Sequence, residues 1–180
     1  MSSQAPIRLI PLICPNCQSP LPAKVDERAW VCETCQRGLL LASDGTLCAQ
    51  DIFFSNQMKP GEKGHPYWVA PGQVTISERS TYGGSRSQES QQFWAVPRLF
   101  FIPAFETSFE QVVASGVDLL HRPLQVQPGL PGPFLPVVTP PEDLRTLAEF
   151  MVYSLEAERK DALKTLKFTV RLDPPQLWVI

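Results

Sequence analysis

Cys14-Pro15-Asn16-Cys17 and Cys32-Glu33-Thr34-Cys35 are two Cys-x-x-Cys pairs, and fourteen residues separate them. Four thiolates at about 2.3 Å fill the tetrahedral shell of a zinc ion, and two residues between paired ligands allow one tight turn. A shell closed by four cysteines has no position for water or substrate. The pattern therefore predicts a structural metal site with Cys14, Cys17, Cys32 and Cys35 as ligands. Zinc is the favoured ion, and iron is less favoured.

The segment around these cysteines resembles a zinc ribbon of the rubredoxin-like type, and the resemblance covers residues 1–50. The four cysteines match the ligands of such a ribbon. Many ribbons of this kind have glycine directly after the second cysteine of each pair, whereas this chain has Gln18 and Gln36 there. The departure disfavours a true rubredoxin, in which an iron ion would transfer electrons.

Short strands are expected around the metal site. Asp44-Gly45 between apolar runs is a hairpin signal. A segment of about 50 residues is too small for a strong core of its own, so a bound metal would supply much of its folding energy. Cys48, the fifth cysteine, is expected to be a small buried residue of the hairpin. The predicted strands are Ile7–Ile13, Ala29–Val31, Leu39–Leu41 and Thr46–Cys48.

The rest of the chain is predicted to be a linker, residues 51–66, and a small α+β domain, residues 67–180, with an antiparallel sheet and about two helices. Tyr67–Ile76 and Phe93–Ile102 share a pattern of aromatic, Trp, two small apolar residues and Pro, which predicts two related, paired strands. Residues 77–92 between them are rich in Ser, Gly and Gln and predict a mobile loop. This part loosely resembles uncharacterised bacterial zinc-ribbon proteins with repeated aromatic-Trp strands.

Two capping boxes predict the helices. Thr107 with Glu110 begins the first, which ends before Pro123, and Thr139-Pro140-Pro141-Glu142 begins the second. Seven prolines in residues 123–141 predict an extended segment that wraps over a surface. Alternating apolar residues then predict a half-buried strand at 166–172, and a last short strand is expected at 177–180.

Composition restricts the classes of function. Charged residues make up 19% of the chain and the net charge is -2, which does not favour binding to a polyanion. The composition of the N-terminal residues does not predict a signal peptide, and no apolar run is long enough to predict a membrane-spanning helix. Cysteines held as metal thiolates suit a reducing compartment, so a cytoplasmic location is expected.

The favoured interpretation is a non-enzymatic adaptor or accessory subunit of a multi-protein assembly. No catalytic motif is recognised, and the expected partners are other protein subunits. A nucleic-acid-binding zinc-ribbon protein is one alternative, although residues 1–41 are nearly neutral. A rubredoxin-like electron carrier is the other. The basic residues within residues 1–41 are Arg8, Lys24, Arg28 and Arg37, and the acidic ones are Asp26, Glu27 and Glu33.

Overall fold

The computed structural model describes residues 12–24, 26–59 and 61–180. Five strands come first along the described chain, the helices lie among the later strands, and the strands form two sheets, one small and one large. The strands are β1 (Ala29–Val31), β2 (Gly38–Leu41), β3 (Leu47–Ala49), β4 (Ile52–Phe54), β5 (Pro66–Thr81), β6 (Arg98–Pro103), β7 (Leu163–Leu172) and β8 (Gln176–Val179). The α-helices are α1 (Ser87–Trp94), α2 (Phe109–His121) and α3 (Leu144–Ala157).

The small sheet lies in the N-terminal segment, residues 12–50, which we call the ribbon. Its order is β1-β2-β3, and both pairs are antiparallel. β2 and β3 form the hairpin predicted from Asp44-Gly45, where the Asp44 carboxylate accepts a hydrogen bond from the Thr46 N–H at 2.8 Å. The predicted strand Ile7–Ile13 falls almost wholly outside the described residues, and Ile13 forms a single bridge to Pro20.

The large sheet belongs to residues 51–180, which we call the body. The long strand β5 pairs with β6, β7 and β8, all antiparallel, and β4 pairs with β8 in parallel. Together with the helices and the N-terminal cysteine cluster, this arrangement confirms the predicted α+β class. β4 lies within residues 51–66, so part of the segment predicted as a linker is a strand of the large sheet.

The aromatic repeat is only partly reproduced. β5 and β6 do pair, through contacts such as Trp68 with Ile102. Phe93 and Trp94, however, end helix α1, so the second aromatic-Trp pair is not in a strand. The predicted loop at 77–92 is also wrong, because β5 continues to Thr81 and α1 begins at Ser87. Pairing with β7 extends β5 beyond the apolar stretch that predicted it.

The two predicted helices exist, but each begins later than its capping box suggested. The N-cap of α2 is Ser108, whose hydroxyl accepts from the Gln111 N–H, and the Gln111 side chain accepts in return from the Ser108 N–H. Before α3 a 3₁₀ turn spans Pro141–Asp143. Thr139 does not cap this helix, because its hydroxyl instead donates to the Pro103 carbonyl of β6 at 3.2 Å.

The core covers both faces of the large sheet. On one face Phe100 and Trp68 pack with Met151 and other residues of α2 and α3. On the other face Phe101, which is 0% exposed, packs with residues that include Leu124 and Val126 of the proline-rich segment. That segment has no helix or long strand and makes isolated bridges to the ribbon and the body, as its prolines predicted.

Candidate metal centre

Two equivalent turns bring the four cysteines together. The Gln18 N–H donates to the Cys14 carbonyl at 2.9 Å, and the Gln36 N–H donates to the Cys32 carbonyl at 2.8 Å. Both glutamines adopt a left-handed backbone, with φ of 62° and 57°. Each turn therefore has the conformation for which glycine is usual, although neither has a glycine.

The side chains of both glutamines support these turns. The Gln36 amide donates to the Glu33 carbonyl at 2.9 Å, and the Gln18 amide donates to the Pro15 carbonyl at 3.5 Å. These bonds return to the turn itself and offset part of the cost of a left-handed backbone at a residue with a Cβ. The sequence departure from the glycine pattern is thus compatible with the usual geometry.

The distances between the sulfur atoms suit one tetrahedral ion. Sγ of Cys14 lies 3.7 Å from that of Cys35, and Sγ of Cys17 lies 3.5 Å from that of Cys32. One ligand atom from each of the four residues lies within 4.8 Å of the others. Four sulfurs at about 2.3 Å from a central zinc ion would be about 3.8 Å apart, whereas a disulfide requires about 2.05 Å. The four cysteines are free thiols in a metal-sized cluster.

The four cysteines differ in how deeply they are buried. Cys14 and Cys32, the first cysteine of each Cys-x-x-Cys pair, are 0% and 1% exposed, whereas Cys17 and Cys35 are partly exposed. A small apolar cluster surrounds the buried sulfurs, and it contains Leu21, Trp30 and Leu39. The indole N–H of Trp30 donates to Glu27 at 2.8 Å, which fixes that ring beside the cysteines.

Hydrogen bonds prepare some of the thiols for loss of a proton. The Ser19 hydroxyl and backbone N–H lower the pKa of Cys17 to about 6, and the Arg37 N–H lowers the pKa of Cys35. A hydrogen bond from the Cys35 N–H lowers the pKa of Cys32, but burial and the neighbouring thiols outweigh it and raise that pKa to about 11. A divalent metal that binds here would displace the remaining protons.

The ribbon sheet has a second buried face, which the sequence did not reveal. Ala29 and Leu40 point away from the cysteines and pack in the main core with Val137 of the proline-rich segment. The Arg28 N–H donates to the Val137 carbonyl at 2.6 Å, and Ala29 forms a bridge with Val137. The metal-facing and body-facing sides of one three-stranded sheet are therefore both covered.

Cys48 does not join the cluster. It lies on β3, and its thiol donates to the Leu40 carbonyl at 3.4 Å. Contrary to the prediction of a buried residue, Cys48 is exposed. Cys48 pairs with Leu40 and so lies on the body-facing side of the sheet, but its edge strand leaves it outside the apolar cluster on that side.

A buried ionic network in the body also escaped sequence analysis. Arg79 of β5 contacts Glu156 of α3 at 2.8 Å and Asp161 at 2.6 Å, and these side chains are at most 4% exposed. Glu156 also accepts from the Trp94 indole at 2.8 Å and from Arg159 at 2.9 Å. The carboxylates are fully enclosed by their partners, so the network stabilises the packing of α1, α3 and β5.

The chain was compared with known proteins in three ways. No protein-family model matches it, and neither a curated protein nor a solved structure is similar to it. None of the helices in the described part of the chain has the length and apolarity needed to cross a bilayer.

Proposed function

We propose that the protein is a non-enzymatic adaptor or accessory subunit whose ribbon is held by one structural zinc ion. The observation that carries this proposal is the closed set of four cysteine sulfurs, two of them buried. A metal with four thiolate ligands stabilises the fold around it and offers no open coordination position. Cys14, Cys17, Cys32 and Cys35 would hold the ion.

The packing of the ribbon supports a structural role for the ion. One face of its sheet closes over the cysteines, and the other face, through Ala29 and Leu40, is part of the main core. A metal in this position would stabilise the ribbon and, through that shared face, its junction with the body. A ribbon stabilised in this way suits a subunit that presents a fixed surface to other proteins in the cytoplasm.

The two alternatives receive less support. In the described ribbon, the basic side chains are Lys24, Arg28 and Arg37, and four acidic side chains oppose them, so phosphate-driven binding is disfavoured. An electron carrier would use iron in the same four-cysteine site, and the colour of the purified protein distinguishes this case.

The test combines metal analysis with isolation of the native assembly. Tagged protein purified from its own cells should be colourless, contain one zinc per chain and bring the same partner subunits in fixed ratio. A red, iron-loaded protein would favour the electron carrier. Protein that elutes alone and binds DNA or RNA with a steep salt dependence would overturn the adaptor proposal.

A further inference from the structure

Helices α2 and α3 form an open groove on the outer side of the body. Its volume is about 530 Å³. The apolar residues that line it recur at helical spacing on both helices, so a single face of each helix forms one wall. They are Phe109, Val113 and Ala114 on α2, and Phe150, Tyr153 and Ala157 on α3.

Three large aromatic side chains are exposed together in this groove. Phe109, Phe150 and Tyr153 are 48%, 46% and 48% exposed. Single exposed apolar residues are ordinary on protein surfaces, whereas a contiguous group marks a binding surface. The rings of Phe109 and Phe150 meet edge to face at 4.9 Å, and the Tyr153 hydroxyl donates to the Leu166 carbonyl at 3.3 Å. The aromatic groups are therefore fixed before any ligand arrives.

The charged side chains that line the groove are both acidic. Glu110 and Glu158 line it, and no basic side chain does so among the described residues. Hydrogen bonds from its own backbone N–H and from Ser108 lower the pKa of Glu110, so its carboxylate is ionised at neutral pH. An apolar groove with carboxylates beside it complements a cationic and apolar ligand. A second copy docked symmetrically through the same face would instead bring carboxylates together.

We propose that the groove between α2 and α3 binds a basic amphipathic helix of a partner protein. Apolar side chains at positions i, i+3, i+4 and i+7 would pack into the groove against Phe109, Phe150 and Tyr153. Lysines or arginines would face Glu110 and Glu158. A helix fits better than a strand, because the backbone groups of two helices are already paired and a strand requires a free sheet edge. The proposal goes beyond the adaptor function, because it concerns a surface remote in sequence from the cysteines.

The experiment measures binding of synthetic peptides to the full, metal-loaded chain by fluorescence anisotropy. The first peptide is helical, with leucines at i, i+3, i+4 and i+7 and lysines and arginines on its flanks. The second replaces every basic residue with glutamate. The basic peptide should bind at least about tenfold more tightly than the acidic one, and its affinity should fall as salt is added.

Matched variants locate the binding site. Glu110→Gln with Glu158→Gln, both at exposed positions, should weaken the basic peptide about tenfold and flatten its salt dependence. Phe150→Ser should remove most of the binding. Glu62→Gln, an exposed carboxylate outside the groove, should leave the affinity unchanged. Circular dichroism of each variant checks that it has folded.

Three results would overturn the proposal. They are equal binding of the acidic peptide, binding that survives both groove variants, and self-association in sedimentation that Phe150→Ser abolishes. The last result would assign the groove to a second copy of the chain. Because the assay uses purified protein and synthetic peptides, it can fail while native partners still co-purify, and it can succeed when the adaptor proposal fails.

Discussion

The ribbon and the body build their buried cores from different kinds of residue. In the ribbon, the small apolar cluster includes Cys14 and Cys32 among its buried residues, so its core is partly made of the candidate metal ligands. In the body, Trp68, Phe100 and Met151 belong to a larger core that lies between a sheet and helices. We therefore expect the ribbon to depend on a bound ion and the body on packing, although Ala29 and Leu40 link the two regions.

Loss of a metal ligand should separate the two regions most clearly. Cys32→Ser removes a buried thiolate, and structural zinc in small domains contributes about 10–16 kcal/mol to folding. We expect loss of the metal and rapid hydrogen exchange throughout the ribbon, while α3 keeps its protection. Metal analysis and exchange mass spectrometry measure both effects.

The matched control for that change is Cys48→Ser. Cys48 is exposed and lies outside the cluster, so its replacement should leave the metal content at one ion per chain. Collapse of the whole chain in Cys32→Ser, with α3 losing its protection, would contradict the independence of the body core.

Glu156→Gln tests the body without touching the ribbon. The change leaves the buried Arg79 and the partly buried Arg159 with one carboxylate fewer. Breaking a buried ion pair such as Arg79–Glu156 costs about 3–5 kcal/mol. Urea unfolding should show this loss while the metal content stays normal. Glu149→Gln, at an exposed pair with Arg145, should cost less than about 1 kcal/mol.

The same network predicts how stability depends on pH. Burial opposes ionisation of Glu156, but hydrogen bonds from Trp94, Arg79 and Arg159 outweigh it and lower its pKa, and Arg79 lowers that of Asp161. Both pKa values are lower in the folded chain than the ordinary values of 4.5 and 3.8. The two carboxylates therefore stabilise the fold fully at a pH above those ordinary values, and this stabilisation is lost as the pH falls through the folded pKa values. In Glu156→Gln the acid-induced loss of stability, followed by urea midpoints, should be smaller.

Adjacent leucines in β2 test the two faces of the ribbon sheet. Leu39 faces the cysteines and Leu40 faces the body, and each Leu→Ala change should cost about 2–5 kcal/mol. Leu39→Ala should speed metal removal by a chelator, and Leu40→Ala should increase hydrogen exchange near Val137. If both variants released metal at the same increased rate, the two faces would not be energetically distinct.

The smallest effect is expected at the cysteine turns. Gln36 has φ of 57°, where a residue with a Cβ is strained by about 1–2 kcal/mol. Gln36→Gly removes that strain but also the hydrogen bond to Glu33, so a gain of less than about 1 kcal/mol is expected. Chelator resistance measures it, and Thr34→Gly, at a position without positive φ, should give no gain.

Local signals predicted the parts of the fold that depend on neighbouring residues. Asp44-Gly45 predicted the β2–β3 hairpin, and the stretch Thr139-Pro140-Pro141-Glu142 predicted the helix that the structure places at α3. The errors occurred where distant contacts decide. Pairing with β7 extended β5 into the predicted loop as far as Thr81. Trp94 lies at the end of helix α1, where its indole donates to Glu156.

The amino-acid sequence by itself determined that four cysteines at Cys-x-x-Cys spacing would form one cluster, because the spacing of each pair dictates a tight turn. It also determined the α+β class through short-range periodicity. Only the tertiary structure decided which apolar residues are covered, because burial depends on partners far along the chain. For that reason Ala29 and Leu40 joined the body core, Cys48 stayed exposed, and the aromatic groove between α2 and α3 remained open.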